Sequence, residues 1–199
     1  MKQESGFWRN SQLWLCLVVF VFSDINVLLA QVKLTEESWV LPTYQVLPAE
    51  KNPEFFKNEV YQGASKYIYP YAMNDMISSE KADHPWKALV LENEYIKLCV
   101  TPEIGGKLYY GTDKTNGVNF IYKNNVVKPS NIGMTGAWVS GGIEWCVIHH
   151  HRASTFLPVD YNMAENKDGS KTIWIGETEP RHQMRWTIGI TVYPGKSYY

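Results

Sequence analysis

Residues 136–161, GAWVSGGIEWCVIHHHRASTFLPVDY, hold three of the five histidines together with Glu144, Arg152, Trp138 and Trp145. Imidazole donates or accepts a proton near neutral pH, so a histidine here suits acid–base work or hydrogen bonding to hydroxyls. A carboxylate at Glu144 can accept hydrogen bonds or act as a base. The fork of donors on Arg152 can hold a carboxylate or a set of hydroxyls. Trp138 and Trp145 offer flat apolar faces that suit the C–H face of a sugar ring, although a strand tryptophan more often sits in a core. The polar group at 149–152 is flanked on both sides by strand formers, the pattern of a site on loops carried by a rigid sheet. The plain alternative is a solvated loop whose histidines do nothing.

Three adjacent histidines also raise the question of a metal. Neighbours in an extended chain point to opposite faces, so His149 and His151 could share a face, with Glu144 as a third ligand, while His150 could not. This is a poor zinc set, and no acidic cluster demands calcium. A phosphate-binding glycine loop, a nucleophile elbow and a dinucleotide fingerprint are all missing from the sequence. The expectation is therefore no metal and no cofactor.

The elements that must position these residues read as strands. Residues 88–92 and 95–101 are strand-like, with Ile96, Leu98 and Val100 alternating against Lys97 and Cys99, and Glu92-Asn93-Glu94 makes a tight turn between them. Thr101-Pro102-Glu103-Ile104-Gly105-Gly106 is a turn whose glycines supply unusual backbone angles. A strand over 107–112 is followed by Asn116-Gly117, a hairpin signal, and a return strand over 118–122. Asp168-Gly169 predicts a second hairpin between strands at 156–163 and 171–177. Residues 185–192, RWTIGITV, alternate and should be half-buried. Upstream, 32–46 contains a short strand, and Pro70 argues against a central strand beside it. No amphipathic helix follows the N-terminal segment. Recurring short strands with turn signals predict an all-β sandwich. Residues 197–199 look like the start of a further strand without a partner, so the chain is expected to be a piece of a longer domain.

A chain of 199 residues suffices for one domain with a real core. A net charge of −1 argues against a nucleic-acid footprint and a polybasic membrane patch. Aromatic content is 14%, with 8 Trp and 13 Tyr, which fits either a sugar-binding surface or a β-sheet core. At the N-terminus, Lys2 and Arg9 precede the apolar run 13–22, LWLCLVVFVF, which is too short to span a bilayer comfortably. It reads as a secretory signal cleaved after Ala30, with an uncleaved anchor as the competing reading. The expected location is outside the cytoplasm, periplasmic or extracellular, with no integral span after cleavage. Cys99 and Cys146 then remain. Both sit in apolar, strand-like contexts and are expected as two buried thiols rather than a disulfide.

Several runs carry a family resemblance: NEYIKLCVTPEIGGKLY (93–109), DKTNGVNFIYKN (113–124), VVKPSNIGMTGAWVSGGIEW (126–145), HRASTFLPVDY (151–161), DGSKTIWIGE (168–177) and MRWTIGITVYPGKSY (184–198). Together they resemble a bacterial family of unknown function with a galactose-mutarotase-like β-supersandwich, often placed before tetratricopeptide repeats. The chain departs from the family's usual pattern at Cys146, Ile148, His150 and Ala153.

The resemblance implies an all-β, galactose-mutarotase-like supersandwich of which this chain is the N-terminal half. Residues 1–30 form the signal peptide, 31–86 a β-rich leader and 87–199 the first part of the sandwich. Enzymes of this type work at the anomeric carbon of a sugar, with a histidine acid and a glutamate base. The resemblance therefore implies His151 and Glu144 as catalytic groups, with Arg152, Trp138, Trp145 and His149 holding the sugar. Asp160 and Arg185 are second-tier candidates, as a structural pair or a polar rim. The function so implied is a carbohydrate-active protein of glycan breakdown, either a glycoside hydrolase or a mutarotase-like epimerase. The alternatives are a non-catalytic carbohydrate-binding module and an inactive fragment of a longer sandwich-plus-repeat protein. The expected ligand is carbohydrate, and the oligomeric state is left open.

Overall fold

The computed structural model describes residues 30–49, 54–55, 68–69, 74, 76–131, 136–147, 151–152, 154–179 and 183–199. The expected signal peptide lies outside the described residues except for Ala30, and so does His149. In chain order the strands are β1 (Lys33–Val46), β2 (Glu54–Phe55), β3 (Ile68–Tyr69), β4 (Ile77–Glu92), β5 (Ile96–Thr101) and β6 (Lys107–Asp113). They continue with β7 (Ser130–Asn131), β8 (Ala137–Trp138), β9 (Asp160–Glu165), β10 (Lys171–Glu179) and β11 (Met184–Val192). All pairings between these strands are antiparallel, in a four-stranded sheet ordered β1-β4-β5-β6, a three-stranded sheet ordered β11-β10-β9, and two short pairs. The fold is all-β and sandwich-like. Among the described residues no helix is long and apolar enough to cross a membrane.

Local chemistry sets the turns. Asn93 ends β4 and is almost fully buried, at 3% exposure. Its Oδ1 accepts the backbone N–H groups of Tyr95 and Ile96 at 2.8 and 2.9 Å. Its Nδ2 donates to the carbonyls of Tyr193 and Lys196, tying the β4–β5 turn to the chain beyond β11. Asp168 caps its own turn in the same way, accepting from the Ser170 N–H at 3.0 Å. Proline falls where the ladder does not need its missing N–H. Pro42 is in edge strand β1, and Pro85 lies in β4 before the stretch that pairs with β5, which begins at Leu89.

The core forms where the two larger sheets face each other. Leu89, Leu91, Leu98, Val100 and Leu108 pack with Ile173, Ile175, Trp186, Ile190 and Val192. Burying each such aliphatic side chain contributes about 1.5–3 kcal/mol. Tyr109, next to Leu108, belongs to a second cluster with Leu41, Ile104, Val127 and Val139. The four-stranded sheet is therefore covered on both faces, which is why β5 is apolar at consecutive positions rather than only at alternate ones.

Four local expectations are corrected. The short strand expected within 32–46 is a 14-residue strand that pairs along most of the 16-residue β4. That ladder runs unbroken through Trp86 and Lys87. The return strand expected over 118–122 is reduced to a bridge at Thr112 and Asn119, because residue 143 takes the edge of β6 at Leu108. The strand expected from 156 begins at Asp160 instead. Residues before it form turns, and Leu157 and Val159 exchange backbone hydrogen bonds with Gly105 and Pro102. Finally, both cysteines are free, but only Cys99 is buried and Cys146 is exposed. Trp145 and Val147 turn to the core, so Cys146 between them must face away.

Candidate functional site

The candidate site is built where described residues of three parts of the chain meet: 102–106, 136–147, and 151–152 with 154–159. Two glycines permit the meeting. Gly105 has φ +65, and a Cβ there would stand 2.2 Å from the Thr155 carbonyl oxygen. Gly142 has φ +66, and its Cβ would stand 2.7 Å from the Leu108 carbonyl oxygen. Neither position accepts a side chain without the backbone moving. Lys107, only 3% exposed, donates through Nζ to the carbonyls of Val139 and Gly141 and so fixes the approach to Gly142. Burial pushes its ammonium pKa down, and the nearby Glu144 carboxylate opposes that shift.

Glu144 is the centre of the site. Oε2 accepts from Trp138 Nε1 at 2.8 Å and meets His151 Nδ1 at 2.7 Å, while Oε1 accepts from the Thr155 hydroxyl. Burial pushes the carboxyl pKa up, but the Thr155, Trp138 and His151 hydrogen bonds outweigh it and hold the group below its ordinary value. Glu144 is thus ionised at neutral pH and only accepts, so the proton between it and His151 belongs on Nδ1 and leaves Nε2 free. The Trp138 ring meets the imidazole edge-on, with centroids 5.5 Å apart. The His151 and Glu144 side chains keep 24% and 13% of their surface exposed, so the pair is reachable from solvent.

Arg152 goes the other way. It is 1% exposed. Nη1 donates to the Trp145 carbonyl at 2.7 Å and Nη2 to the Gly105 carbonyl at 2.8 Å. Nε lies 3.3 Å from both Ser154 Oγ and Glu177 Oε1, and the guanidinium sits 4.3 Å from the Trp186 ring centre. Burial lowers its pKa, and Glu177 then Glu144 oppose the shift. This arginine bolts the loop to the sheets. Trp145 donates Nε1 to the Gly106 carbonyl at 2.8 Å and packs on the core.

The structure therefore brings Glu144, His151 and Trp138 together and separates Arg152 and Trp145 from them. Thr155 and Cys146 join the cluster without having been singled out in the sequence. Thr155 carried a faint signal, lying in the HRASTF run that holds His151. Glu177 and Trp186 carried none, because only the sandwich brings β10 and β11 beneath the loop. Asp160 and Arg185 lie elsewhere. With Trp174, Gly176 and Thr187 they line an open trough of about 260 Å³ on the three-stranded sheet. Trp174 is 44% exposed and lies against Gly189, where a Cβ would stand 2.7 Å from the indole.

In fold, the chain is similar to a TPR-domain containing protein from Parabacteroides distasonis ATCC 8503, with a TM-score of 0.67 over 84% of this chain at 22% identity. The chain spans 28% of the length of that protein. In sequence, residues 64–199 match a family described as a domain of unknown function (DUF5107), and the chain belongs to that family.

Proposed function

We propose that the chain is the first part of a galactose-mutarotase-like supersandwich and acts on carbohydrate at the anomeric centre, in glycan breakdown outside the cytoplasm. His151 is the acid–base group, working through Nε2 on a sugar oxygen. Glu144 is its positioning residue. The observation that carries this reading is the 2.7 Å contact between His151 Nδ1 and an ionised carboxylate that accepts two further hydrogen bonds. A carboxylate so held fixes the tautomer and orients the imidazole, so that Nε2 is the atom presented to a leaving or ring oxygen. Glu144 bonds directly to His151, so in this reading it acts through the imidazole rather than from the opposite side of the sugar.

A second reading, a carbohydrate-binding module without catalysis, is favoured by Trp174. Its exposed ring lies flat on a glycine strand beside Asp160, Asn162 and Arg185, an aromatic platform with a polar rim.

Both readings are tested by melting the protein with a panel of mono- and oligosaccharides, since a ligand that binds only the folded state raises Tm, by about 2.7 kcal/mol of stability at 100 times Kd. The sugar that shifts Tm is then assayed for hydrolysis and for mutarotation. The catalytic reading expects turnover that is lost in His151→Ala while the Tm shift survives. No turnover, with the shift lost in Trp174→Ala, establishes the binding module instead. A melt unmoved by every sugar overturns both.

A further inference from the structure

We propose that Glu144, Cys146 and His151 form a binding site for one thiophilic divalent metal ion of the zinc type. One ligand atom from each, a carboxylate oxygen, a thiol sulfur and an imidazole nitrogen, lies within 4.8 Å of the other two. Tetrahedral zinc with bonds of about 2.0–2.3 Å places such ligand atoms about 3.4–3.6 Å apart. His151 Nδ1 and Glu144 Oε2, now hydrogen-bonded at 2.7 Å, would exchange that bond for the metal, and Cys146 Sγ would draw in towards them.

The chain path explains why these three converge. Residues 143–147 run extended from the bridge between Ile143 and Leu108. Ile143, Trp145 and Val147 pack on the core, so Glu144 and Cys146 project together on the other side. His151 reaches that side, where its Nδ1 meets Glu144 Oε2 at 2.7 Å, while Arg152 beside it is buried. The sequence pattern of alternating histidines pointed to His149 as the partner of His151. His149 lies outside the described residues, and among those described the third donor beside Glu144 and His151 is Cys146.

The donor set selects the ion. A thiol with an imidazole and one carboxylate suits zinc or a similar borderline metal and does not suit calcium or magnesium, which take oxygen ligands. On binding, Cys146 gives its thiol proton to solvent and the thiolate sulfur bonds to the metal. Thiolate and carboxylate then neutralise the ion, while the nearby Arg152 charge is already paired with Glu177 at 3.3 Å. The supports that metal-bound carboxylates need are in place: Trp138 Nε1 holds Oε2 at 2.8 Å and Thr155 holds Oε1. Three protein ligands at a partly exposed site leave a fourth position for water, the arrangement of reactive rather than purely structural zinc. The inference does not depend on the carbohydrate reading, and its test contains no sugar.

The test is a titration of the metal-free protein with Co²⁺, followed by displacement with Zn²⁺. Cobalt bound through sulfur gives a thiolate-to-metal charge-transfer band in the near ultraviolet. The expected result is a band that saturates at one Co²⁺ per chain and is abolished by one equivalent of Zn²⁺. Cys146→Ser removes an exposed atom, so it should melt as the wild type does, yet it should lose the band. Cys99→Ala, which removes the buried thiol of β5, should keep it. His151→Ala should weaken Zn²⁺ binding at least tenfold, measured by competition with a chromophoric chelator. No thiolate band in the wild type, a band that persists in Cys146→Ser, or Zn²⁺ affinity unchanged in His151→Ala would each overturn the proposal.

Discussion

Replacing Arg152 by Met keeps most of the side-chain volume and removes the charge, so it isolates what the guanidinium does. Arg152 is 1% exposed and serves two carbonyls, Trp145 and Gly105, and one carboxylate, Glu177. Removing one partner of a buried ion pair costs about 3–5 kcal/mol because the other charge is left uncompensated. Here the Glu177 side chain keeps 13% exposure and two donors, Ser154 Oγ and Trp186 Nε1. Both soften the loss, so the expected destabilisation is the low end of that range, about 3 kcal/mol. That is a large share of a typical total of about 5–15 kcal/mol. Urea unfolding should show a midpoint lower by about 1.5 M if m is about 2 kcal/mol/M, with m itself unchanged. Arg152→Lys keeps the charge but loses the planar fork, so it should fall between the two. Adding Glu177→Gln to Arg152→Met should recover part of the loss, since directly paired groups couple by about 0.5–3 kcal/mol. If Arg152 gripped a ligand at the surface instead, Arg152→Met would change stability by no more than about 0.5 kcal/mol, as surface substitutions do. That result would refute the structural role assigned to it.

Two further outcomes follow from the site's geometry. Gly105→Ala places a Cβ 2.2 Å from the Thr155 carbonyl oxygen at φ +65. It should cost at least about 2 kcal/mol, a fall in Tm of about 4–8 °C for a chain of this size. Gly117→Ala, with φ +75 but nothing within 4 Å, supplies the control that bears only the backbone cost; equal losses at the two positions would refute the packing argument. Glu144 has a native pKa below its ordinary 4.5, so its contribution is present at neutral pH and disappears as pH falls from 4.5 through the native value. The stability gap between wild type and Glu144→Gln should therefore be clear at about pH 7 and close towards about pH 3. A gap of constant size across that range, read from urea unfolding, would show that the carboxylate's charge is not what the site holds.

Much of the β architecture was legible because it is written in local chemistry. The alternation of Ile96, Leu98 and Val100, the Asp168-Gly169 turn and the run 185–192 each state a period or a turn within a few residues. The length of β1 was not legible. Its sequence, KLTEESWVLPTYQV, lacks a clean apolar period because one end is exposed and the other is covered by a second cluster. The pairing of 118–122 is cut short at 118–120 for a non-local reason, since the edge of β6 at Leu108 is taken by residue 143 from a segment far along the chain. At the site, residue types pointed to Glu144 and His151. They could not separate Arg152 from His151, because sequence does not reveal which side of the backbone is core. Cys146 was read as buried because its neighbours are apolar, yet apolar neighbours in an extended chain place the residue between them on the outer side.

The division between His151 and Arg152 is the physical basis of the site. Arg152 is fully buried while its neighbour His151 keeps 24% of its side chain exposed, so the two adjacent side chains part at the bend. Arg152 is held by hydrogen bonds to two carbonyls on separate segments, Trp145 and Gly105, and by an ion pair to a third, Glu177 on β10. The loops are stitched further by the backbone bonds of Gly105 to Leu157 and of Val159 to Pro102. A free loop would lose about 1–2 kcal/mol of backbone entropy per residue each time it ordered around a ligand. Here these bonds hold the described residues of the loop on folding, and the imidazole is presented against an ionised carboxylate. Proton transfer to a sugar oxygen and coordination of a metal both need that fixed geometry. The buried Arg152–Glu177 pair thus anchors the residue next to His151, whose imidazole meets Glu144 at 2.7 Å.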